Sequence, residues 1–240
     1  HFVIGSGQYP GPNGMMGNGF YDPIIKKHVN CVEDPNATVV DNKGSARSYS
    51  RYTNTTLTHW IKSFNSESKI YSVAGKDRSA VLLGGQKPNL ALYYNYNGAF
   101  VTSDYYTDEN PKWLNDFNST MNIPSYKDSL WNRSLDEQTY LKYSRPDYYV
   151  GEVDEYLNDP YSPTFPIGIE PGEEPKSFFM GRPWFERELL KLAEKVVLEE
   201  NLGKDNHSDI LYVGFSAMDW MIHDYGPYSQ EIMDAMIKLD

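Results

Sequence analysis

The chain of 240 residues has a single cysteine, Cys31, and fewer basic than acidic residues. One cysteine excludes a disulfide within the chain and leaves the redox compartment open. The formal net charge of −11 at pH 7 argues against a protein that coats nucleic acid, because such a protein needs a basic face. It does not exclude a phosphate substrate, since that needs only a few local cations.

Other signatures are missing as well. The sequence has no apolar run of transmembrane length and no internal repeat, and no G-x-G-x-x-G or Walker pattern follows a predicted strand. No signal peptide is visible, but the chain starts without Met and in mid-pattern, so that absence says little. A hydrophobic content of 40% is enough for a packed core. These features are typical of one large or two small globular domains.

A short apolar run near the end of the chain, residues 210–215, is the strongest strand candidate. Its length and its β-branched and aromatic residues favour a strand that is covered on both faces. We expect residues 216–227 to form a loop at its carboxyl end, where α/β sheets gather their sites. Asp219 and His223 lie in that loop. A carboxylate and an imidazole suit a divalent metal such as zinc, but polar residues at a strand end are common without any metal.

Two cations, Lys76 and Arg78, follow a second predicted strand at 70–74. Arginine binds phosphoryl oxygens with a bidentate fork and lysine binds them as a point charge. The alternative is a solvated turn in which Asp77 neutralises a neighbour. Composition alone favours the alternative.

The glycine-rich residues 1–23 form either a surface loop or a loop whose backbone approaches a ligand, with Asn18 as an amide donor. Further along, the sequence predicts a hairpin at 90–106 around Asn97-Gly98. Periodicity predicts helices at 58–64, 111–117, 184–202 and 230–239. Together these elements predict an α/β fold with crossover connections.

The middle of the chain, roughly 86–176, is rich in loops. We interpret it as an antiparallel β and loop insertion on one core domain that spans 1–240. Its acidic cluster at 147–159 and its long loop at 160–175 favour a solvated covering segment over a lid.

Five stretches, taken together and in this order, resemble the type I phosphodiesterase/nucleotide pyrophosphatase family of the alkaline phosphatase superfamily: 1–22, 75–85, 98–106, 111–118 and 215–229. The first is similar to the family's glycine-rich segment that ends in "GN". The "KDR" and the "G-x-F-x-T-S" hairpin resemble the phosphate-irrepressible alkaline phosphatase branch. The last is similar to "S-x-TD-x-x-GH-x-(F/Y)GP-x-S".

The resemblance implies a doubly wound, mostly parallel α/β sheet flanked by helices. It also implies two zinc ions and phosphate ester hydrolysis through a covalent phospho-Thr or phospho-Ser intermediate. Matched position by position, Asp219 and His223 are two ligands of one zinc. Asn18 is an amide that contacts the phosphoryl group, and Lys76 and Arg78 clamp its oxygens. The substrate would be a small phosphate ester or nucleotide, and the location periplasmic, extracellular or membrane-anchored.

The sequence also departs from the family pattern. The nucleophile and a first metal-binding Asp would precede His1, and a "DHG" motif and a last His ligand would follow Asp240. We therefore expect the middle of a longer enzyme, inactive and poor in zinc binding when alone. Ile222 and Asn13 replace the usual Gly and His without removing a ligand. A nucleotide pyrophosphatase or diesterase, and a non-catalytic binding protein that keeps the fold, remain alternatives.

Overall fold

The computed structural model describes residues 1–41, 44–152, 164–168 and 179–240. The chain divides into two compact units, of which the first comprises His1–Thr120 and Leu189–Gly214 and the second Met121–Glu188 and Phe215–Asp240. The prediction of a single domain with an insertion at 86–176 stays a prediction. Its acidic cluster and its long loop lie largely outside the described residues.

The first unit contains both helices and strands. In chain order they are α1 (Phe2–Ser6), β1 (Gly19–Asp22), β2 (Lys27–Asn30), α2 (Leu57–Phe64), β3 (Ile70–Ala74), α3 (Asp77–Gly84), β4 (Leu90–Tyr94), β5 (Phe100–Val101), α4 (Lys112–Thr120) and β6 (Ile210–Gly214).

The second unit is helical in its described part. Its helices are α5 (Glu137–Tyr143), α6 (Pro183–Glu199, which belongs to the first unit from Leu189 onward), α7 (Ala217–Tyr225) and α8 (Gln230–Leu239). Three helices begin at a side-chain cap, because an oxygen of the residue before the helix accepts from a backbone N–H of the first turn. The caps are Thr56 for α2, Asp136 for α5 and Ser229 for α8.

A four-stranded sheet in the order β5-β4-β3-β6 forms the centre of the first unit. Strands β4, β3 and β6 run parallel, and β5 pairs antiparallel with β4. Ala74, the last residue of β3, lies opposite Tyr93 of β4 and Gly214 of β6. Helix α3 packs against all three parallel strands. The α/β prediction is confirmed, and the carboxyl ends of β3, β4 and β6 share one edge.

The hairpin at 90–106 is confirmed, because β4 and β5 pair antiparallel around the turn at Asn97-Gly98. However, β4 also pairs in parallel with β3. Its five residues are buried, as expected of a strand with neighbours on both sides. The first strand of the hairpin is therefore part of the central sheet.

The last strand differs from its prediction in length and in burial. It ends at Gly214, and all five of its residues are only partly buried. In the described sheet β6 is an edge strand with β3 as its one neighbour. Residues on both faces of β6 are thus partly covered within this chain.

Two segments that were predicted as loops contain regular structure. Residues 216–227 hold helix α7, so the expected loop is wrong. The glycine-rich start holds helix α1, a 3₁₀ turn at Gly11–Asn13 and strand β1. Gly7, with φ of 66°, ends α1 in the left-handed conformation that glycine adopts without strain.

The first unit has a mostly apolar core beneath α1 and α3. One cluster joins these helices to the segment that follows β2. It is formed by Phe2, Cys31, Val32, Tyr49, Tyr52, Val81 and Leu82.

In the second unit Asp234 is fully buried and accepts hydrogen bonds from the indole N–H of Trp131 and, at 2.5 Å, from the hydroxyl of Tyr140. Among the described helices, none is long and apolar enough to cross a bilayer.

Candidate functional site

Lys76 and Arg78 lie where β3 leads into α3. Lys76 is the N-cap residue of α3, and Asp77 and Arg78 are the first two residues of the helix. Strand β3 is fully buried, so it delivers this turn to the edge that the parallel strands share. The N-terminus of a helix carries a partial positive charge and unpaired N–H groups. Together with two cationic side chains, it favours a bound anion.

Asp77 organises this turn. Its Oδ1 accepts from the backbone N–H of Arg78 at 2.7 Å and lies 3.3 Å from Nη1 of Arg78. Its Oδ2 accepts from Nε of Arg47 at 2.7 Å and from Nδ2 of Asn30 at 3.1 Å. The side chain of Asp77 is only 16% exposed. The turn is therefore ordered and only partly exposed, but Asp77 does neutralise a neighbour, Arg78, as in the alternative that composition left open.

Hairpin β1–β2 brings Asn18 to the same part of the first unit. The backbone carbonyl of Asn18 accepts from the N–H of Cys31 at 3.0 Å. The next pair in the register is Gly19 opposite Asn30, and Asn30 donates to Asp77. The side chain of Asn18 is exposed. Sequence reasoning singled out Asn18 but missed the hairpin, which links it to the turn at Asp77.

Asp219 and His223 lie one turn apart on helix α7. Oδ2 of Asp219 is 3.8 Å from Nε2 of His223, and their side chains are 56% and 77% exposed. The i, i+4 spacing places both on one face of the helix. At zinc–ligand bonds of about 2.0–2.2 Å, two ligand atoms of a tetrahedral site are roughly 3.3 Å apart. The pair therefore fits two ligands of one ion after a small side-chain adjustment.

No group of three or more potential metal ligands occurs within the described ranges. Asp219 and His223 thus supply part of a site and not a whole one. By unit, the structure groups Asn18, Lys76 and Arg78 in the first and Asp219 and His223 in the second.

The sequence profile of the type I phosphodiesterase/nucleotide pyrophosphatase family matches residues 1–240. The chain belongs to this family. Alkaline phosphatase PafA from Elizabethkingia meningoseptica is 30% identical over 248 residues, which cover 100% of this chain and 45% of that protein. Alkaline phosphatase PhoV from Synechococcus elongatus is 30% identical over 245 residues, which cover 100% of this chain and 44% of that protein.

A crystal structure of wild-type PafA superposes on the chain with a TM-score of 0.89 at 29% identity, and covers 100% of this chain and 47% of PafA. This similarity confirms the alkaline-phosphatase-like α/β fold. The chain spans less than half the length of these family members.

Glu186, which sequence reasoning missed, is a buried carboxyl that accepts a hydrogen bond from the start of helix α7. Oε1 of Glu186, in α6, accepts from the backbone N–H of Ala217 at 2.5 Å. Burial raises the pKa of Glu186 to about 7, although hydrogen bonds from the N–H groups of Ala217 and Met218 act in the opposite direction. The signal was present in the sequence, since Glu186 lies one turn before Leu189, on the apolar face of the predicted helix.

A second buried acid, Glu231 in α8, is fully buried and shares a side-chain hydrogen bond with Asp147. Burial, together with the charges of Asp147 and Glu152, raises the pKa of Glu231 to about 8. Arg133 lies 2.8 Å from Asp147 and Arg145 lies 2.6 Å from Glu152, so each of these neighbours has its own cation. Glu231 is therefore the carboxyl of this cluster that keeps its proton at neutral pH.

This arrangement predicts a loss of stability as the pH rises. Because the pKa of Glu231 is about 8 in the fold and near 4.5 in an unfolded chain, its stabilising effect is fully present below about pH 4.5 and is lost progressively as the pH rises to about 8. We expect Glu231→Gln to change the melting temperature little at pH 5 and to raise it by roughly 3–6 °C at pH 9. Thermal unfolding followed by circular dichroism measures both.

The matched control is Asp128→Asn, which neutralises an exposed carboxylate of the same unit. It should leave the pH dependence of the melting temperature as in the wild type. Parallel curves for Glu231→Gln and wild type from pH 5 to pH 9 would show that Glu231 does not titrate in this range.

Proposed function

We propose that the protein that carries this chain is a metal-dependent phosphate ester hydrolase of the alkaline phosphatase type, with a preference for monoesters. The turn at the start of α3 carries the proposal. There Lys76 and Arg78 stand at a helix N-terminus, and Asp77 holds the guanidinium of Arg78. A guanidinium has five N–H donors. The contact through Nη1 therefore leaves donors for a phosphoryl group.

The preference for monoesters follows from charge. A terminal phosphoryl group presents more charged oxygens than a diester, so it benefits more from two nearby cations. A solved mutant of PafA replaces a threonine, an asparagine, a lysine and an arginine together, and its lysine and arginine are two positions apart. Lys76 and Arg78 have the same spacing. This correspondence supports a role for both residues at the reacting group.

The remaining residues take the roles that the family resemblance assigns. Asn18 donates from its amide to a phosphoryl oxygen, and Asp219 and His223 hold one of two zinc ions. A zinc ion held there would supply Lewis-acid stabilisation of the negative charge that develops during phosphoryl transfer. The proposed nucleophile, a Thr or Ser, precedes His1 and forms the covalent phospho-enzyme. By analogy with the family, the protein works outside the cytoplasm on a small phosphate ester or nucleotide.

The test compares ester classes in the full-length protein. With zinc present, we expect kcat/KM for an aryl phosphate monoester to exceed that for the matched diester by about 100-fold or more, because the two cations face more charged oxygens on the monoester. A preference for the diester would favour the nucleotide pyrophosphatase and phosphodiesterase alternative. Hydrolysis of neither ester above the uncatalysed rate would favour a binding protein that keeps the fold.

A further inference from the structure

Arg47 and Asn30 meet at one oxygen of Asp77. The nearest of these contacts is the 2.7 Å bond from Nε of Arg47 to Oδ2. Asn30 adds a bond of 3.1 Å to the same oxygen. The other oxygen, Oδ1, serves Arg78. Oδ2 of Asp77 is therefore held by Arg47 and Asn30, and Oδ1 faces Arg78, one of the two cations proposed to bind a phosphoryl group.

The surroundings of Arg47 hold it in place. Its carbonyl oxygen accepts from the hydroxyl of Ser103 at 2.8 Å, its Nη1 donates to the carbonyl of Ala46 at 3.3 Å, and its backbone forms a bridge with Glu33. Its side chain is 19% exposed. Both ends of Arg47 are thus attached to the frame of the first unit, and its Nε points at Asp77.

Asn30 is held as firmly. It is the last residue of β2 and pairs with Gly19 across the hairpin. Its Oδ1 accepts from the N–H of Val32 at 3.0 Å, which fixes the amide so that Nδ2 faces Asp77. The hairpin therefore supplies one donor to Asp77 and carries Asn18 at its other strand.

An arginine beside a carboxylate can pair with both carboxylate oxygens or with one of them. If Asp77 were free to turn, both of its oxygens could pair with Arg78 in a bidentate fork, which would occupy one forked edge of the guanidinium and neutralise more of its charge. Arg47 and Asn30 occupy Oδ2, so Arg78 has only Oδ1. The guanidinium is then oriented but not neutralised by a full fork.

We propose that Arg47 and Asn30 are positioning residues, which act through Asp77 to hold Arg78 in the orientation that grips a phosphoryl group. The inference rests on the proposed function, because it assigns a purpose to the orientation of Arg78. Neither Arg47 nor Asn30 needs to contact the substrate. Their effect on turnover must therefore pass through Arg78.

A double-mutant cycle in the full-length protein tests this route. We expect Arg47→Ala to lower kcat/KM for a phosphate monoester on the order of 10-fold, as a modest misplacement of a clamp does. In an Arg78→Ala background the same change should cost less than about 2-fold, since residues that act through one another are not additive. Asn30→Ala should follow the same pattern with a smaller effect.

The matched control is Arg51→Ala. Arg51 lies in the same segment, with a side chain 17% exposed, and it pairs with Asp22 and not with Asp77. It tests whether removal of any half-buried arginine there slows the reaction. Equal losses from Arg47→Ala and Arg51→Ala, or an undiminished Arg47→Ala loss without Arg78, would overturn the inference.

A readout without turnover separates this inference from the proposed function. Crystal structures of Arg47→Ala and of Arg51→Ala with inorganic phosphate test the position of Arg78. In Arg47→Ala only, Arg78 should be displaced from Oδ1 of Asp77 or paired with both oxygens of Asp77. Phosphate should bind Arg47→Ala about 10-fold more weakly than the wild type, in line with one weakened charge-assisted contact. An unmoved Arg78 would overturn the positioning role even in an active enzyme. If the wild type were inactive but Arg78 were displaced in Arg47→Ala, only the proposed function would be overturned.

Discussion

Replacement of Arg78 by alanine in the full-length protein is expected to lower kcat/KM for a phosphate monoester by about 10³-fold, comparable to the loss of a strong transition-state donor. For a diester we expect a loss of about 10-fold, because fewer charged oxygens face the cation. Lys76→Ala should show the same asymmetry with a smaller monoester loss, on the order of 10²-fold, since an ammonium is a point charge without the fork. Steady-state kinetics with matched aryl esters measure each value.

Two further variants test whether this loss is specific to the guanidinium of Arg78. Arg78→Lys keeps the charge and removes the fork, so its activity should lie between the wild type and Arg78→Ala. Lys87→Ala removes an exposed cation that follows α3 and should change neither rate by more than about 2-fold. If Arg78→Ala and Lys76→Ala slowed monoester and diester hydrolysis equally, the proposed preference for monoesters would be wrong.

Removal of Asp219 or His223 is expected to have the other large effect. If the proposed roles hold, alanine at either position would remove a ligand from a four-coordinate ion, so one of two metal ions should be lost on dialysis. Activity should fall by 10³-fold or more, because a metal ion supplies several kcal/mol of charge stabilisation, about tenfold in rate for each 1.4 kcal/mol. Elemental analysis of the dialysed variants, beside the kinetics, measures both losses.

The control is Asp128→Ala, which removes an exposed carboxylate in the second unit without touching α7. Full zinc content in Asp219→Ala and His223→Ala would contradict the ligand assignment whatever their activity. Within the part of the chain that the structure describes, Asp219 and His223 are the two proposed ligands. The zinc affinity of the isolated chain should therefore be far below that of the full-length protein.

The sequence predicted those elements whose pattern is local. Strand Ile70–Ala74 and helix Gln230–Leu239 agree with the structure at both ends, because the run of apolar residues and the serine cap mark them directly. Helix α7 was missed although its signal was equally local. Asp219 and His223 are four residues apart, which is helical spacing, but their position after a strand was interpreted as a metal-binding loop.

The rest depends on contacts between distant residues. Strand β4 reads as one arm of a hairpin, and only its parallel pairing with β3 shows that it is central. The network at Asp77 joins Asn30 and Arg47, which lie 47 and 30 positions before it. No periodicity or motif connects such positions. The chemistry of Lys76 and Arg78 was visible in the sequence, but the frame that orients Arg78 was not.

The single cysteine has a practical consequence. Cys31 is fully buried among Phe2, Tyr52 and their neighbours, and burial raises the pKa of its thiol. A buried thiol that keeps its proton reacts slowly with oxidants and maleimides. In this chain, a cysteine introduced at an exposed position such as Lys87 would therefore become the one readily labelled thiol. A fluorophore or spin label attached there would report on the chain without removal of the native cysteine.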